Sequence, residues 1–234
     1  KIMIKIPYIG LQLNTADDVY LSSDEHLGHK NILAYTGRPY KNVEEMDDDI
    51  IRRHNEVIPK ENSVWICLGD VSLSPGRFPA LQKYLSQMNG ETKILLLGNH
   101  DKLRKDEYLA AGFDFVIQKN MVVTMRADKQ TIYLHHRPLP NLGWVDYTSL
   151  FRRQNPKYQD DPRPNYMIFD RDNPVADEFI ARPDILPIFG NVICGHVHQI
   201  FRHYVKGNAV NVSLDVWDMK PVSLNTVLNL LSTS

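Results

Sequence analysis

The chain has 234 residues, a formal net charge of −1, 43% hydrophobic and 24% charged residues. A chain of this length buries roughly 70–75% of its unfolded surface, so a full core needs no disulfide or metal staple. The near-neutral balance excludes a nucleic-acid or anionic-membrane surface built on bulk charge, and no run approaches the ~20 apolar residues of a spanning helix.

The predicted elements alternate through the first half. Val19 to Ser23 is a short apolar run that ends at Asp24. Residues 43–57 space Met46, Ile50, Ile51, His54 and Val57 as one helical face, with Glu44, Glu45, Asp47, Asp48 and Asp49 as a solvated acidic run suited to a helix N-terminus. Val64 to Leu68 and Thr92 to Leu97 read as buried strands. Pro79 to Met88 and Leu103 to Ala111 read as helices. This βαβα rhythm predicts a largely parallel, sandwiched sheet. Cys67 and Cys194 each sit inside an apolar run, as small buried hydrophobes rather than a disulfide pair. With no continuous signal-peptide core, that points to a reducing, cytoplasmic setting.

After Gly112 the rhythm changes. Met121 to Met125 and Thr131 to Leu134 read as strands joined by a polar turn. Residues 141–187 hold six of the fourteen prolines and much polar sequence. So long a stretch reads as a cap over a site or as a plain surface excursion. Its basic residues are nearly balanced by acids, and its aromatics suit either stacking on a base or a small core of the segment's own. Ile188 to Cys194 returns to strand, with short strands expected around 200–205, 209–211 and 214–217. Ser223 is an N-cap candidate for the closing helix, with Val222 and Val227 placed as a hydrophobic staple. The expectation is one domain over residues 1–234 with an insertion at about 141–187.

Five polar clusters follow apolar runs: Asp24-Glu25-His26, Gly69-Asp70, Gly98-Asn99-His100-Asp101, His135-His136 and Gly195-His196-Val197-His198. Asp24 and His26, like His196 and His198, are two residues apart, so each pair can share a face of an extended segment. Gly69 permits a tight turn that swings Asp70 inward. In open parallel sheets, sites form at the carboxyl ends of the strands. Mixed nitrogen and oxygen ligands suit Mn, Fe, Zn, Co or Ni better than Ca or Mg, and no cysteine lies near the clusters to suggest a structural zinc knuckle. Any one of these motifs is weak; the ordered set is strong. His54 and His203 read as ordinary packed or surface histidines, and His29 as either a neighbour of the site or a helix cap.

The set resembles the calcineurin-like metallophosphoesterase superfamily, whose pattern runs D-x-H, G-D, G-N-H-[DE], a later histidine, then G-H-x-H. The flanks of Asp24-Glu25-His26 and the stretch Asn211-Val212-Ser213-Leu214-Asp215-Val216-Trp217 look like its small bacterial and phage branch. The resemblance implies an α/β fold: a two-sheet mixed β-sandwich flanked by helices in four αββα layers. It implies two divalent metal ions, with Mn favoured. Asp24, His26 and His198 would hold the first, Asp70 would bridge, and Asn99, His136 and His196 would hold the second, with His135 as the alternative to His136. It implies hydrolysis of a phosphomonoester or phosphodiester, a nucleotide among the candidates, by direct attack of hydroxide held between the ions. His100 would be the acid for the leaving group, and Asp101 would orient that histidine or its loop. Asn31, Arg38 and Arg137 lie near the motifs as candidate substrate contacts, as does Lys30. A metal-dependent nuclease, less favoured by the net charge, and a non-catalytic scaffold of the same fold are the alternatives.

Overall fold

The structure, a computed structural model, describes residues 9–13, 15–74, 76–118, 120–125, 131–138, 191–204 and 208–232. The segment expected to form a cap at 141–187 lies outside these residues. Two sheets form the frame. In the first, β2 (Val19–Ser22), β3 (Val64–Cys67), β4 (Thr92–Leu96) and β5 (Phe115–Ile117) run parallel, and β11 (Val222–Ser223) lies antiparallel beside β2. The second runs in the order β1 (Ile9–Leu13), β6 (Asn120–Met125), β7 (Thr131–His135), β8 (Asn191–Cys194), β10 (Ala209–Asn211), β9 (His203–Tyr204). It is mixed: β6 with β7 and β9 with β10 are antiparallel, and the other neighbours are parallel.

Side-chain alternation sorts the strands' apolar residues into two cores. Leu21, Ile66, Ile94 and Leu96 point between the sheets, where they join Ile132, Leu134, Ile193 and Val210 of the second sheet. Trp65, Cys67 and Leu95 point the other way. There they meet Met46 and Ile50 of α2 (Val43–Val57), Leu81 and Leu85 of α3 (Arg77–Leu85) and Tyr108 of α4 (Lys105–Ala111). Burial on both faces explains why these strands read as continuous apolar runs rather than clean alternation. On the second sheet, Tyr133 and Val192 face away from the inter-sheet core and are buried as well. The expected mixed two-sheet sandwich flanked by helices is the observed architecture. Among the described residues, no helix is long and apolar enough to cross a membrane.

The helix ends follow local chemistry. Asn42 Oδ1 accepts the Glu45 N–H (2.8 Å) at the start of α2, with Glu44 and Glu45 in the first turn. The acidic run is not wholly solvated, however. Asp47 is buried and accepts the Gly28 N–H and the Tyr84 hydroxyl, which ties α2 to the first loop and to α3. Ser223 caps the closing helix α5 (Leu224–Ser232) by accepting the Thr226 N–H, and Val222 and Val227 are both buried.

One expected strand differs in form, and the one expected around 200–205 is shortened to β9. Residues 214–216 make a 3-10 turn, and His198–Ile200 makes another before β9. Asn211 Oδ1 accepts the Ser213 N–H and Trp217 N–H bonds back to Leu214, so local side-chain and turn bonds outcompete a ladder there. A short helix, α1 (Ile32–Thr36), and the strands β1 and β5 had no clear sequence signal.

Candidate metal centre

The parallel strands β2, β3 and β4 end on the same side, and each leads into a polar cluster. The loops are stitched together: Asp24 N–H donates to Gly69 O (2.9 Å) and His26 N–H to Asp70 O (3.0 Å). Gly69 has φ 102°, and a Cβ there would collide with the backbone of Gly98. The Gly-Asp and Gly-Asn turns can pack this closely only because both carry glycine. From the second sheet, β8 delivers Gly195-His196-Val197-His198. A Cβ on Gly195 would overlap Ser23 Oγ, which sets the contact distance between the two halves of the site. His136 follows β7 and is buried.

These loops bring two groups of side chains together. One is Asp24, His26 and His198; the other is Asp70, His136 and His196; within each group the candidate donor atoms lie within 4.8 Å of one another. The Asp70 carboxylate stands between the groups: its Oδ2 is 3.8 Å from His26 Nε2 and 3.3 Å from His136 Nε2. Asp24 Oδ1 is 3.9 Å from His26 Nε2 and 4.0 Å from His198 Nε2. Asn99 Oδ1 lies 3.0 Å from His136 Nε2 and so belongs with the second group. Buried and aimed into the first group, Asp24 Oδ1 and His26 Nε2 have no hydrogen-bond partner. A buried carboxylate oxygen facing a buried imidazole nitrogen with nothing to bond is costly unless a cation lies between them. The residues fit a pair of divalent ions of the borderline type.

Five of the candidate ligands hold left-handed backbone: Asp24 (φ 61°), His26 (φ 52°), Asp70 (φ 58°), His196 (φ 70°) and His198 (φ 44°). Non-glycine residues in this region carry about 1–3 kcal/mol of strain each, and such strain gathers at functional sites.

The electrostatics separate the histidines. Burial works to lower His136, but the adjacent Asp70 carboxylate outweighs it and pushes the imidazole up to about 9. Burial likewise works to raise Asp70, and His136 holds it well below the usual carboxylate range. Burial lowers His26 and His196. For His198 burial is overcome by Asp24 and Asp215, so it is raised.

The remaining expected residues fall in distinct places. His100 is half-buried beside the groups, its ring 5.5 Å from that of His26, and its N–H donates to Asp70 Oδ1 (2.7 Å). Asp101 accepts the N–H groups of Asp70 (2.8 Å), Gly98 (2.8 Å) and Val71 (3.2 Å), so of its two suggested duties the geometry matches the orienting of the loop. Burial, with the Asp70 charge, raises it to about 6. Between His135 and His136, only His136 enters the second group; His135 Nδ1 accepts the Arg137 N–H. Asn31 is exposed at the start of α1, and Arg137 is half-buried next to His136. Arg38 departs from the expectation of a substrate contact. It is buried, and its guanidinium donates to both oxygens of Asp215 and to the carbonyls of Asp24 and Glu25. With its donors facing inward, it braces the site rather than meeting a ligand.

Three neighbours surround these groups, and of them the sequence reading offers only His29 a place beside the site, as the alternative to a helix cap. His29 Nδ1 lies 3.2 Å from His26 Nδ1. Buried Glu25, raised to about 7 by burial, is bonded by Ser22 and Cys67 behind the first loop. Asp215 Oδ2 lies 2.7 Å from His198 Nδ1. Glu25 and Asp215 have no assigned role in that reading, although Glu25 stands in the first cluster and Asp215 within the Asn211–Trp217 stretch that resembles the phage branch.

The calcineurin-like phosphoesterase model matches residues 19–200, which takes in all five clusters. The chain belongs to this family. Among its relatives, an uncharacterized protein of Methanocaldococcus jannaschii is 35% identical over 122 residues, covering 50% of this chain and 68% of that protein. The gene 66 protein of Mycobacterium phage L5 is 30% identical over 114 residues, covering 47% of this chain and 53% of the phage protein. The chain thus spans about half the length of the phage relative. A solved structure of a protein of unknown function from Aquifex aeolicus superposes with a TM-score of 0.58 at 21% identity, covering 91% of this chain and 98% of that one, a likeness of fold. Family and ligand groups together make this a metal-dependent phosphoesterase in general class.

Proposed function

We propose that the chain is a dinuclear phosphoesterase that hydrolyses a phosphomonoester or phosphodiester, a nucleotide among the candidate substrates, with Mn as the favoured metal. The observation that carries this reading is the Asp70 carboxylate standing between two ligand groups, 3.8 Å from one histidine and 3.3 Å from the other. Asp24, His26 and His198 would hold one ion, Asn99, His136 and His196 the other, and Asp70 both. When bound, a pair of divalent ions would neutralise phosphoryl charge and make hydroxide available as the nucleophile near neutral pH.

The protein's own residues supply the rest. Asp101 pins the Gly98 and Asp70 turns so that the Asp70 carboxylate cannot swing away. His100, held by its N–H on Asp70, keeps its imidazole beside the groups and outside both sets of donors. In this reading it donates a proton to the leaving oxygen as the general acid. Asn31 and Arg137 are the proposed substrate contacts.

The test is a metal titration joined to a hydrolysis screen. Purified protein is loaded with Mn²⁺, Fe²⁺, Zn²⁺, Co²⁺ or Ni²⁺ and offered p-nitrophenyl phosphate, bis-p-nitrophenyl phosphate, cyclic nucleotides and short nucleic acids. Uptake of two ions per chain with turnover of at least one ester class is the expected result. Two bound ions and no hydrolysis of any ester would leave a scaffold, and cleavage confined to nucleic acid would make the chain a nuclease.

A further inference from the structure

Three of the candidate ligand histidines have a neighbour on the ring nitrogen that faces away from the donor cluster, and the neighbours differ in kind. His26 Nδ1 meets the His29 imidazole at 3.2 Å, and His136 Nδ1 meets the backbone carbonyl of Leu68 at 2.7 Å. His198 Nδ1 meets a carboxylate, Asp215 Oδ2, at 2.7 Å. That carboxylate is almost fully buried and is gripped in turn. Arg38 Nε and a terminal guanidinium nitrogen donate to its two oxygens at 2.9 and 3.0 Å, and Ser213 Oγ donates to Oδ2 at 3.1 Å. The same guanidinium reaches the carbonyls of Glu25 (2.8 Å) and Asp24 (2.6 Å).

We propose that Asp215, clamped by Arg38, is the positioning residue of the first metal position: it fixes His198 with Nδ1 protonated and Nε2 turned to the ion, and it locks the Asp24 loop to the His198 loop. The inference rests on the dinuclear reading above. The physical case is geometric. A bidentate guanidinium–carboxylate pair has one orientation, and a carboxylate on one ring nitrogen fixes the tautomer and the ring plane of the ligand histidine. The first position draws its ligands from both halves of the chain, Asp24 and His26 from one and His198 from the other, and the N–H of the neighbouring His196 holds Asp24 Oδ2 at 2.8 Å. Arg38 closes the opposite side of that junction. Among the described residues, the second position has no such ion pair behind His136, only the neutral Leu68 carbonyl.

The inference predicts a position-selective loss of metal. Mn²⁺ titration of the whole protein by calorimetry, with anomalous scattering from Mn-soaked crystals to assign each ion, reads both positions separately. Asp215→Asn keeps the volume and a hydrogen-bonding oxygen but removes the charge. It is expected to weaken the first position by about 10–100-fold and to leave the second within about twofold. Arg38→Lys keeps the charge and loses the fork, so it is expected to weaken the same position by a smaller factor; it carries the test should Asp215→Asn not fold. Wild-type affinity at the first position in these variants overturns the inference, as does an equal loss at both positions, which would mean a general loosening. Should the wild type itself bind a single ion, the dinuclear reading fails. The inference then stands or falls on whether that ion sits at Asp24 and His198 and weakens in Asp215→Asn.

Discussion

The two ligand groups are built from different supports. The group of Asp24, His26 and His198 joins the loop after β2 to the loop after β8, and a buried ion pair lies behind it. The group of Asp70, Asn99, His136 and His196 is backed by hydrogen bonds that carry no countercharge on His136, from Leu68 O and from the Asp101-pinned turns. The difference teaches where stiffness has to come from. Both groups bridge the two sheets, but the first is braced by a buried ion pair and the second by hydrogen bonds to the Leu68 carbonyl and the Asp101 carboxylate.

The largest expected effect abolishes the comparison altogether. Asp70→Asn removes the charge shared by both groups, so kcat/KM should fall by several orders of magnitude, and both metal affinities should fall with it, as isothermal titration would read. An Asp70→Asn protein that keeps two tightly bound ions would end the bridging role. Next is a change that belongs to neither group. His100→Ala should keep both ions yet lose about 10²–10⁴-fold in kcat for an alkyl ester, and much less for p-nitrophenyl phosphate, whose leaving group needs little protonation. Equal losses on the two substrates would remove His100 as the acid.

A third prediction sharpens the contrast by pH in the metal-free protein. His136, raised to about 9, lies above its unfolded value of about 6.5, so its pairing with Asp70 stabilises the fold fully below about pH 6.5 and is lost as pH rises through 9. Up to about 3 kcal/mol is at stake over that window. His26, lowered by burial, works in the opposite sense and favours the fold above about pH 6.5. Melting curves of the apo protein and of His136→Gln between pH 6 and 10 should therefore differ in slope, the variant losing less as pH rises. Bound metal, which needs neutral imidazole, should erase the difference. The smallest effect lies outside the site: Ser223→Ala should cost about 1 kcal/mol by denaturant melt, through loss of the α5 cap, and leave both metal positions untouched.

Much of this architecture was legible in the sequence. Apolar runs at 64–68 and 92–97 announced buried parallel strands because their side chains are enclosed on both faces, and the clusters at their ends lie where such sheets place ligands. What escaped had a physical reason. α1 and β5 have 5 and 3 residues, too short for a periodicity to register. The 214–216 turn looked like a strand because its apolar residues alternate, and only the Asn211 and Ser213 side chains decide otherwise. Arg38 and Asp215 are 177 residues apart. Nothing local marks either as half of an ion pair, so Arg38 read as a candidate substrate contact near a motif. Proximity in sequence says which loop a residue occupies and not which way its side chain turns.

The left-handed backbone at Asp24, His26, Asp70, His196 and His198 also bears on how such a protein could change over time. Replacing one of these side chains with glycine or asparagine would relieve the local conformation at the cost of a ligand, so the easiest stabilising changes here are disabling ones. A lineage released from the need for catalysis would drift towards them. The wild-type chain is then expected to recover its resistance to heat only on taking up metal, which makes the ion a part of the fold's upkeep as well as of its chemistry.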